Sequence, residues 1–520
     1  MKFNLYLFLT FIASFCYISE TKNILGLFPH PGYSHFKVFY PILKKLAENG
    51  HQLTVVTYTK SKNKITNYNE IILIGEDTTH VFDIEMFIPS RSLVSMIYEF
   101  FLLSEEGSKS CEIFYKSDAI KQIINKNQTM PFDLVITENF NTDCYLGIPY
   151  ILNVPVIALS SCVAMPWHYN RFALPDTPSF IPSEFVGFNE NMNFYERFVN
   201  FIITKSVALL YRTITQRNDN KFIKDYLKID VDVEDLAKKQ SLLLINQHYS
   251  LSGSRPVPNR VVEIGGVHID DNDTAAIPKD VEEFLQNSVK GVIFISWGSM
   301  IKMSTLPKSK VKAIVNALEQ QSFDVLWKWE SDDLPTVNKK FMFTKWAPQK
   351  ELLCHPKVKI FWSHGGLLGT SESVYCGKPI IVSPLYGDQF LNGKAAENRK
   401  MGLMLYHTDM SEENLSEAFR TISQPEYAKN AKYVSEVYRN RQNSPLDTAV
   451  WWVEHVLKTK GNNLTYSPAA DMSGFVYHSL DVITVLVILG ILIITIPILI
   501  CRKCCSSKTQ KQKTKKVKVK

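Results

Sequence analysis

Short apolar runs and longer amphipathic stretches alternate along most of this chain. In the first half, residues 24–28 and 52–57 are predicted to be strands, and the apolar spacing between them predicts a helix over about residues 36–49. Further buried strands are predicted at residues 132–137 and 154–159. Strands that alternate with helices in this way indicate a parallel α/β sheet with helices on its faces.

A second series of the same kind follows a loop region, residues 252–278, that is rich in Gly, Pro, Asp and Asn. Its predicted strands lie at residues 291–297, 323–329, 341–345, 358–362 and 378–383, and its predicted helices lie at 308–321, at 412–423 and after Pro425 and Pro445. We therefore predict two α/β domains of similar size that face one cleft, residues 23–265 and 279–460.

Two long apolar segments, residues 82–103 and 194–215, interrupt the regular alternation in the first half. Such segments are typical of core helices, and they also suit the cover of a pocket for an apolar ligand. The sequence leaves both interpretations open.

The two ends of the chain carry a different pattern. Residues 482–500 form an uncharged stretch dominated by Ile, Leu and Val. At about 1.5 Å per residue, a helix over this stretch nearly crosses a hydrocarbon core of roughly 30 Å, and a buried core helix is the alternative. At the N-terminus, Lys2, an apolar run and a polar run have the order of a secretory signal peptide, predicted as residues 1–22, with an uncleaved anchor as the alternative.

The formal net charge of +7 comes from the C-terminal end. Residues 501–520 hold nine of the 58 basic residues and no acidic one, so the rest of the chain carries 49 basic against 51 acidic residues. The position of these charges predicts a lumenal body, one membrane span and a cytoplasmic tail, and no nucleic-acid partner. Lys516, Lys518 and Lys520 resemble a dilysine signal for the endoplasmic reticulum, while binding of the tail to anionic lipid is the alternative.

Composition and cysteine spacing narrow the class of protein. A hydrophobic fraction of 45% and a charged fraction of 21% exclude a disordered chain and a multi-span transporter. The predicted body contains five cysteines without CxxC spacing, which allows one or two disulfides with one free thiol: Cys111, Cys144, Cys162, Cys354 and Cys376. Sequons that suit a lumenal protein occur at Asn127, Asn272, Asn414 and Asn463.

The segment around residues 361–389 carries the strongest chemical signal. A predicted strand ends before His364, and two glycines then open a helix that carries Glu372. The free amides and the dipole of such a helix end bind anions, and His364 adds a hydrogen-bond donor for a diphosphate. A carboxylate two turns later suits ribose hydroxyls, and Asp388 with Gln389 suits the hydroxyls of a sugar. The chain contains neither GxGxxG nor GxxxxGK[ST], so it lacks the usual sequence basis for a dinucleotide oxidoreductase or a P-loop nucleotidase.

At these residues the chain resembles the UDP-glycosyltransferase family, which includes the UDP-glucuronosyltransferases. The resemblance runs from Trp362 to Gln389, extends to Trp346-Ala-Pro348-Gln349, and covers nearly the whole chain. Two further stretches look like those of insect members, namely Phe28-Pro-His-Pro-Gly-Tyr-Ser-His35-Phe36 and Phe140-Asn-Thr-Asp143-Cys144.

The resemblance implies a GT-B fold, with an N-terminal acceptor domain and a C-terminal UDP-sugar domain. It also implies a role for each matching donor-site residue: Trp346 stacks on uracil beside Gln349, Ser299, His364 and Gly366 hold the diphosphate, Glu372 holds the ribose, and Asp388 and Gln389 hold the sugar. Neither a metal ion nor an organic cofactor is implied. Leu368 departs from the pattern, because many relatives have Asn at that position.

His35 is the candidate catalytic base. Its expected place at a helix N-terminus disfavours the imidazolium form and keeps the ring able to accept a proton, and the family match points to the same residue. His30 and His51 are competitors, the first as a loop contact and the second as a structural residue. The acid that partners the base is either Glu138 or Asp143. Alignment favours Glu138 and residue type favours Asp143, which is our preference.

These features together predict an inverting, membrane-bound UDP-glycosyltransferase of the endoplasmic reticulum. Its donor is UDP-glucose or UDP-glucuronate, with UDP-glucose preferred, and its acceptor is a small lipophilic molecule. Assembly into a homo-oligomer is compatible with the sequence. The alternatives are a non-catalytic glycosyltransferase-like binding protein and a lipid-directed glycosyltransferase.

Overall fold

The computed structural model describes residues 20–61, 63–73, 84, 92–125, 131–271, 274–461 and 464–517. Most of the predicted signal peptide, the sequons at Asn127, Asn272 and Asn463, and the terminal Lys518 and Lys520 lie outside the described residues. The described residues form two compact units, residues 1–466 and 467–520.

The first unit begins with a seven-stranded parallel sheet in the order β3-β2-β1-β4-β5-β6-β7. Its strands are β1 (Asn23–Phe28), β2 (Gln52–Thr57), β3 (Tyr68–Ile72), β4 (Leu134–Glu138), β5 (Val156–Ser160), β6 (Leu242–Ile245) and β7 (Val261–Glu263). The apolar runs predicted as strands all occur here. The central strands are buried on both faces, as expected of a parallel sheet covered by helices.

A six-stranded parallel sheet follows in the order β10-β9-β8-β11-β12-β13. Its strands are β8 (Val292–Ile295), β9 (Asp324–Lys328), β10 (Phe341–Thr344), β11 (Val358–Ser363), β12 (Ile380–Val382) and β13 (Gly402–Met404). In both sheets the chain order reverses beside the central strand, between β1 and β4 and again between β8 and β11. Ligands of open α/β sheets bind at such reversal points.

Helices connect these strands and cover the sheets. In the first half they are α1 (Tyr33–Glu48), α2 (Leu93–Lys116), α3 (Asp118–Asn125), α4 (Gly147–Leu152), α5 (His168–Arg171), α6 (Phe194–Leu210), α7 (Gln216–Phe222), α8 (Val233–Lys238) and α9 (Tyr249–Ser252). The second half contains α10 (Lys279–Asn287), α11 (Lys308–Glu319), α12 (Gln349–Cys354), α13 (Leu367–Tyr375), α14 (Gln389–Asn398), α15 (Glu412–Ile422), α16 (Pro425–Arg439) and α17 (Pro445–Lys458). Two π-helical turns, Tyr211–Thr215 and Ile223–Leu227, flank α7.

The last helix of this unit returns to the first sheet. Val450 and Val453 of α17 belong to the same buried cluster as Phe39 of α1. The Nε2 atom of buried His51 also lies 2.8 Å from Oε1 of Glu454 on α17. The predicted C-terminal domain of residues 279–460 therefore contains a helix that packs on the N-terminal sheet, a long-range contact that no local pattern encodes. His51 has the structural place expected of it.

The two long apolar segments contain helices α2 and α6, which pack against each other. Their inner faces are buried, for example at Phe100 and Ile203. Their outer faces are exposed, with Tyr98 on α2 and Phe198 and Phe201 on α6 among the exposed large side chains. The core-helix interpretation is therefore correct for the inner faces, and one end of α2 reaches the cleft described below.

The second unit contains two helices, α18 (Gly474–Tyr477) and α19 (Leu480–Val517). Within the described part of the chain, residues Leu480–Cys504 are the one helical stretch long and apolar enough to cross a membrane. This stretch is not buried inside the unit, so the core-helix alternative receives no support.

Two disulfides join Cys111 to Cys144 and Cys354 to Cys376. Cys162 is buried as a free thiol. The sequence prediction of one or two disulfides with one free body cysteine is thus confirmed. Asn414 is an exposed sequon residue at the start of α15, where its side-chain amide donates to the carbonyl oxygen of Asp409.

Candidate active site

The candidate base lies at the reversal point of the first sheet. His35 is in the first turn of α1, directly after β1, and its backbone amide donates to the carbonyl oxygen of Gly32. Glu138 is the last residue of the neighbouring strand β4. Because the carboxyl ends of parallel strands meet at one edge of a sheet, the two side chains converge, and His35 Nδ1 lies 2.7 Å from Glu138 Oε1.

A serine that sequence reasoning missed completes this arrangement. The hydroxyl of Ser161 donates to Glu138 Oε1 at 2.6 Å and lies 2.8 Å from His35 Nδ1. Ser161 follows β5, which is the strand next to β4. Its place just after a predicted apolar strand was the available signal. With Nδ1 facing the carboxylate and serine, Nε2 of His35 is the nitrogen left to accept a substrate proton.

The surroundings of His35 set its pKa. Burial lowers the pKa of the imidazole, but the charge of Glu138 and its hydrogen bond outweigh burial, with Glu106 and Asp388 adding to the effect. The pKa of His35 is therefore raised above its ordinary value. A raised pKa gives a stronger base, at the cost of a larger protonated fraction in acid.

His30 is the neighbour of the base and has a different state. Its ring stacks on that of His35 with centroids 4.1 Å apart, and its Nδ1 accepts from the amide of Gly32. Burial, with a further contribution from His35, holds the pKa of His30 well below its ordinary value. Gly32 is required here, because a Cβ atom would lie 2.8 Å from the His30 ring. His30 is thus a neutral ring that packs against the candidate base.

The preference for Asp143 as partner of the base is wrong. Both carboxylate oxygens of Asp143 accept from the buried guanidinium of Arg171, at 3.0 and 2.6 Å. Gln216 also donates to this carboxylate. Arg171 lies on α5, so the Asp143 side chain is held in an internal ion pair, whereas Glu138 binds His35. Residue type favoured Asp143, but the carboxylate that reaches His35 is that of Glu138 at the end of β4.

The candidate donor site lies at the reversal point of the second sheet. His364 follows β11, and Gly366 is the residue before the first turn of α13. The His364 ring lies between two glycines, since a Cβ atom on Gly298 or Gly366 would approach it to 2.9 or 2.6 Å. Burial, with a further contribution from Lys328, lowers the pKa of His364 to about 4. A neutral imidazole therefore lies beside the free amides of a helix N-terminus, which suits a phosphate.

Glu372 and Gln349 form the next part of this edge. Glu372 is buried on α13, and its Oε2 accepts from Gln349 Nε2 at 2.7 Å. Trp346 lies three residues before Gln349 with 57% of its surface exposed. Ser299 is exposed in the turn after β8, and no capping hydrogen bond of its hydroxyl is found among the described residues. The eight predicted donor residues thus lie along the carboxyl edge of β8, β10, β11 and β12.

Asp388 and Gln389 lie at the start of α14. Asp388 Oδ2 accepts from Asn392, and Gln389 Oε1 accepts from the amide of Leu385 at 2.8 Å, so the Gln389 carbonyl holds the loop after β12. Burial raises the pKa of Asp388 to about 6, and both Asn392 and His35 oppose that rise. Asp388 and His35 each affect the pKa of the other, so the two side chains lie within range of each other's charge.

Comparison with known proteins agrees with this geometry. Residues 27–517 match the family described as UDP-glucoronosyl and UDP-glucosyl transferase. The UDP-glycosyltransferase UGT5 of Dactylopius coccus is 36% identical over 501 residues, which cover 94% of this chain and 93% of that protein. The UDP-glucuronosyltransferase 1A6 of Mus musculus is 27% identical over 531 residues, covering 98% of each chain.

The chain belongs to the UDP-glycosyltransferase family.

A solved structure supports the fold. A UDP-glucosyltransferase from Polygonum tinctorium, described as capable of glucosylating indoxyl, superposes with a TM-score of 0.59 at 14% identity. The match covers 85% of this chain and all of that chain. The two parallel-sheet domains of this UDP-glycosyltransferase are therefore the GT-B fold, as predicted.

The cleft of this UDP-glycosyltransferase is bridged by contacts between its two halves. Oε1 of Glu99 on α2 accepts from the amide of Gly387 at 2.6 Å, one residue before Asp388. Arg399, the residue after α14, donates to Glu190 at 2.8 Å. Leu368, where many relatives have Asn, packs against the core of the first sheet. These contacts hold the base side and the donor side of the enzyme against each other.

Proposed function

We propose that this enzyme transfers glucose from UDP-glucose to a hydroxyl group of a small lipophilic acceptor, with inversion at the anomeric carbon. The observation that carries the proposal is the His35–Glu138 pair, joined at 2.7 Å, with Asp388 of the proposed donor edge within range of the charge of His35. His35, Glu138 and the donor residues Ser299, Trp346, Gln349, His364, Gly366, Glu372, Asp388 and Gln389 have the proposed roles given above.

The proposed reaction is a single displacement. Nε2 of His35 takes the proton of the acceptor hydroxyl as its oxygen bonds to the anomeric carbon, and the bond from that carbon to the UDP oxygen breaks. Glu138 stabilises the imidazolium that forms, as an acid does for the histidine of a hydrolase triad. The negative charge that develops on UDP meets the α13 amides and the neutral His364, both preorganised before reaction. Attack from the side opposite UDP inverts the configuration.

The charge around the sugar edge favours a neutral hexose over glucuronate. Glu99 and Glu106 both contribute to the potential at Tyr386, beside Asp388. The carboxylate of glucuronate would meet this acidic surface with like charge, which is unfavourable in a partly buried site. UDP-glucose is therefore the donor we propose, and UDP-glucuronate is the competitor.

We further propose attachment to the membrane of the endoplasmic reticulum. The apolar helix Leu480–Cys504 is the proposed span, with the basic tail in the cytoplasm and the catalytic body in the lumen. The exposed sequon residue Asn414 is compatible with a lumenal body. Protease protection of the body, but not of the tail, in sealed microsomes would support this orientation, and cleavage of the body in intact vesicles would contradict it.

The experiment for the activity uses the full-length protein in detergent. UDP release is measured with UDP-glucose and with UDP-glucuronate over a panel of phenolic and aliphatic alcohols, and the anomeric configuration of the product is read by NMR. We expect UDP release that depends on the acceptor, with UDP-glucose preferred. Binding of UDP-sugar without UDP release for any acceptor would favour the non-catalytic binding protein. Transfer confined to lipid acceptors would favour the lipid-directed enzyme.

A further inference from the structure

A histidine outside the predicted site lies beside Glu372. His268 ends the turn that follows β7, where the chain leaves the first sheet. Gly265 and Gly266 shape this turn. A Cβ atom on Gly265 would lie 2.5 Å from the carbonyl oxygen of Gln247, and Gly266 has a φ of +86°. Only glycine fits these two positions without strain, so the turn directs His268 to one place.

The His268 side chain is buried without a partner. It has no exposed surface, and neither Nδ1 nor Nε2 has a hydrogen-bond partner among the described residues. The backbone of Leu368 lies beside the ring and favours its protonated form, although the contact does not reach the geometry of a full hydrogen bond. Burying an unsatisfied imidazole is unfavourable, and such groups in folded proteins call for an explanation. A bound ligand that supplies the missing hydrogen-bond partners is one such explanation.

The carboxylate of Glu372 is satisfied on one side and open on the other. Its Oε2 accepts from Gln349, as described above. Its Oε1 forms an ion pair with the ammonium of Lys37 at 3.6 Å and lies 3.9 Å from His268 Nε2, and neither distance is short enough for a hydrogen bond. The open carboxylate oxygen and the unpartnered imidazole therefore face each other across a short gap.

The chemistry of the two groups defines what fits there. Burial, followed by the charge of Lys37, lowers the pKa of His268 to about 3, so the ring is neutral at physiological pH and offers one donor and one acceptor. Glu372 offers acceptors only. A vicinal diol carries two hydroxyls that both donate and accept, so it can donate to the carboxylate and exchange a second hydrogen bond with the imidazole.

We propose that His268 and Glu372 together recognise the ribose diol of the UDP-sugar, with His268 making the enzyme selective for ribose over deoxyribose. This inference rests on the proposed function, because it takes UDP-glucose as the donor. It adds a residue from the connection between the two sheets to a donor site otherwise built by the second sheet. His268 is a binding residue here, and it takes no part in the proton transfer at His35.

Binding of nucleotide alone tests this inference. Calorimetric titrations of the full-length protein with UDP, 2′-deoxy-UDP and 3′-deoxy-UDP give three affinities for each variant. A site that hydrogen-bonds a hydroxyl rejects the analogue lacking it, so we expect the wild type to prefer UDP over at least one deoxy analogue by about tenfold or more. His268→Ala should weaken UDP binding by about tenfold and leave that analogue within about twofold, which removes the selectivity.

Two further variants make the result decisive. His248→Ala is the matched control, because His248 is also buried near the same connection but already has Ser250 Oγ as a partner at 2.8 Å. It should keep the wild-type ratio of affinities. His268→Gln retains a donor and an acceptor and should recover part of the selectivity.

Three results would contradict the inference, and they can be told apart. Equal weakening of all three nucleotides in His268→Ala would show a packing role and overturn the inference while leaving the donor site intact. A wild type that binds UDP and both deoxy analogues equally would overturn it directly. Failure of the wild type to bind UDP at all would overturn the proposed function along with it. Thermal unfolding of each variant confirms that it is folded.

Discussion

The two histidines of the cleft lie at equivalent places in the two sheets, and their pKa values are shifted in opposite directions. His35 follows β1 at the start of α1, and His364 follows β11 just before α13. Both are partly buried close to a helix N-terminus, which by itself disfavours the imidazolium. Yet the pKa of His35 is raised, because Glu138 outweighs burial, whereas the pKa of His364 is lowered to about 4 by burial and Lys328.

The comparison shows how one residue type serves two purposes in one fold. At the reversal point of the first sheet, the neighbouring strand ends in a carboxylate, which makes the histidine a base. At the reversal point of the second sheet, burial keeps the second histidine neutral as a hydrogen-bond donor, and the charge of Lys328, which donates to the carbonyl oxygen of Gly298, adds to the effect. The surroundings of each ring, a carboxylate at His35 and burial at His364, therefore distinguish the two histidines, and the helix end that they share does not.

Removal of the base should have the largest effect. His35→Ala should lower kcat for UDP release by about 10²–10⁴, since the variant lacks the group proposed to take the proton of the acceptor hydroxyl. The UDP affinity should stay within about twofold of the wild type. The matched control is His478→Ala, an exposed histidine of the second unit, which should retain full activity. Turnover of His35→Ala at the wild-type rate would rule out His35 as the base.

Replacement of Glu138, whose charge raises the pKa of His35, should have the second-largest effect. Only neutral His35 can accept a proton, so activity is lost as the pH falls through its pKa. Glu138→Gln removes the group that raises this pKa, so the acidic limb of kcat/KM should move to lower pH, with a loss of about 10²-fold at the optimum. Glu106→Gln should move the limb the same way by less. An unshifted limb in Glu138→Gln would mean that another group controls the base.

Replacement of His364 should lower activity without moving the acidic limb of the pH profile. His364→Ala removes one preorganised donor to the diphosphate, and we expect a loss of about 10- to 10²-fold in kcat/KM at every pH from 6 to 9. Because the pKa of His364 is about 4, its own titration lies below this window. The measurement is a kcat/KM profile beside that of Glu138→Gln. A moved acidic limb in His364→Ala would erase the contrast between the two histidines.

Asp143 should affect folding rather than the pH profile. Asp143→Asn leaves the buried guanidinium of Arg171 without its bidentate partner, and breaking a buried ion pair costs about 3–5 kcal/mol. We expect a lower free energy of unfolding in urea, with an unchanged acidic limb for the protein that remains folded. An acidic limb displaced as in Glu138→Gln would restore Asp143 as the partner of the base.

Chelation should have the smallest effect. The proposed reaction uses His35, a helix N-terminus and neutral His364, so EDTA should leave UDP release within about twofold of the untreated rate. The ligand atoms of His30, His35 and Glu138 lie within 4.8 Å of one another, a spacing that can also hold a metal ion. Loss of activity with EDTA and recovery with a divalent cation would therefore point to that cluster and change the account of the base.

Much of the fold followed from local pattern. The apolar runs predicted as strands correspond to β1, β2, β4, β5 and β8 to β12, with ends that differ by at most two residues. Strands β3, β6, β7 and β13 were not predicted. They are three to five residues long, and all four lie at or next to a sheet edge, so the run of apolar residues that marks a strand is short or broken.

The amino-acid sequence by itself determined the class of fold, the chemistry of the donor edge and the candidate base, because these depend on residues close together in the chain. His364, Gly366 and Glu372 lie within one strand–helix turn, where spacing predicts geometry. Only the tertiary structure decided what depends on distant residues. It assigned Glu138 to His35 and Asp143 to Arg171, and it brought His268 to Glu372 across 104 positions of sequence. Side chains that meet across strand ends have no periodicity to reveal them, so their pairing, and with it the charge of each histidine, appears only when the chain is folded.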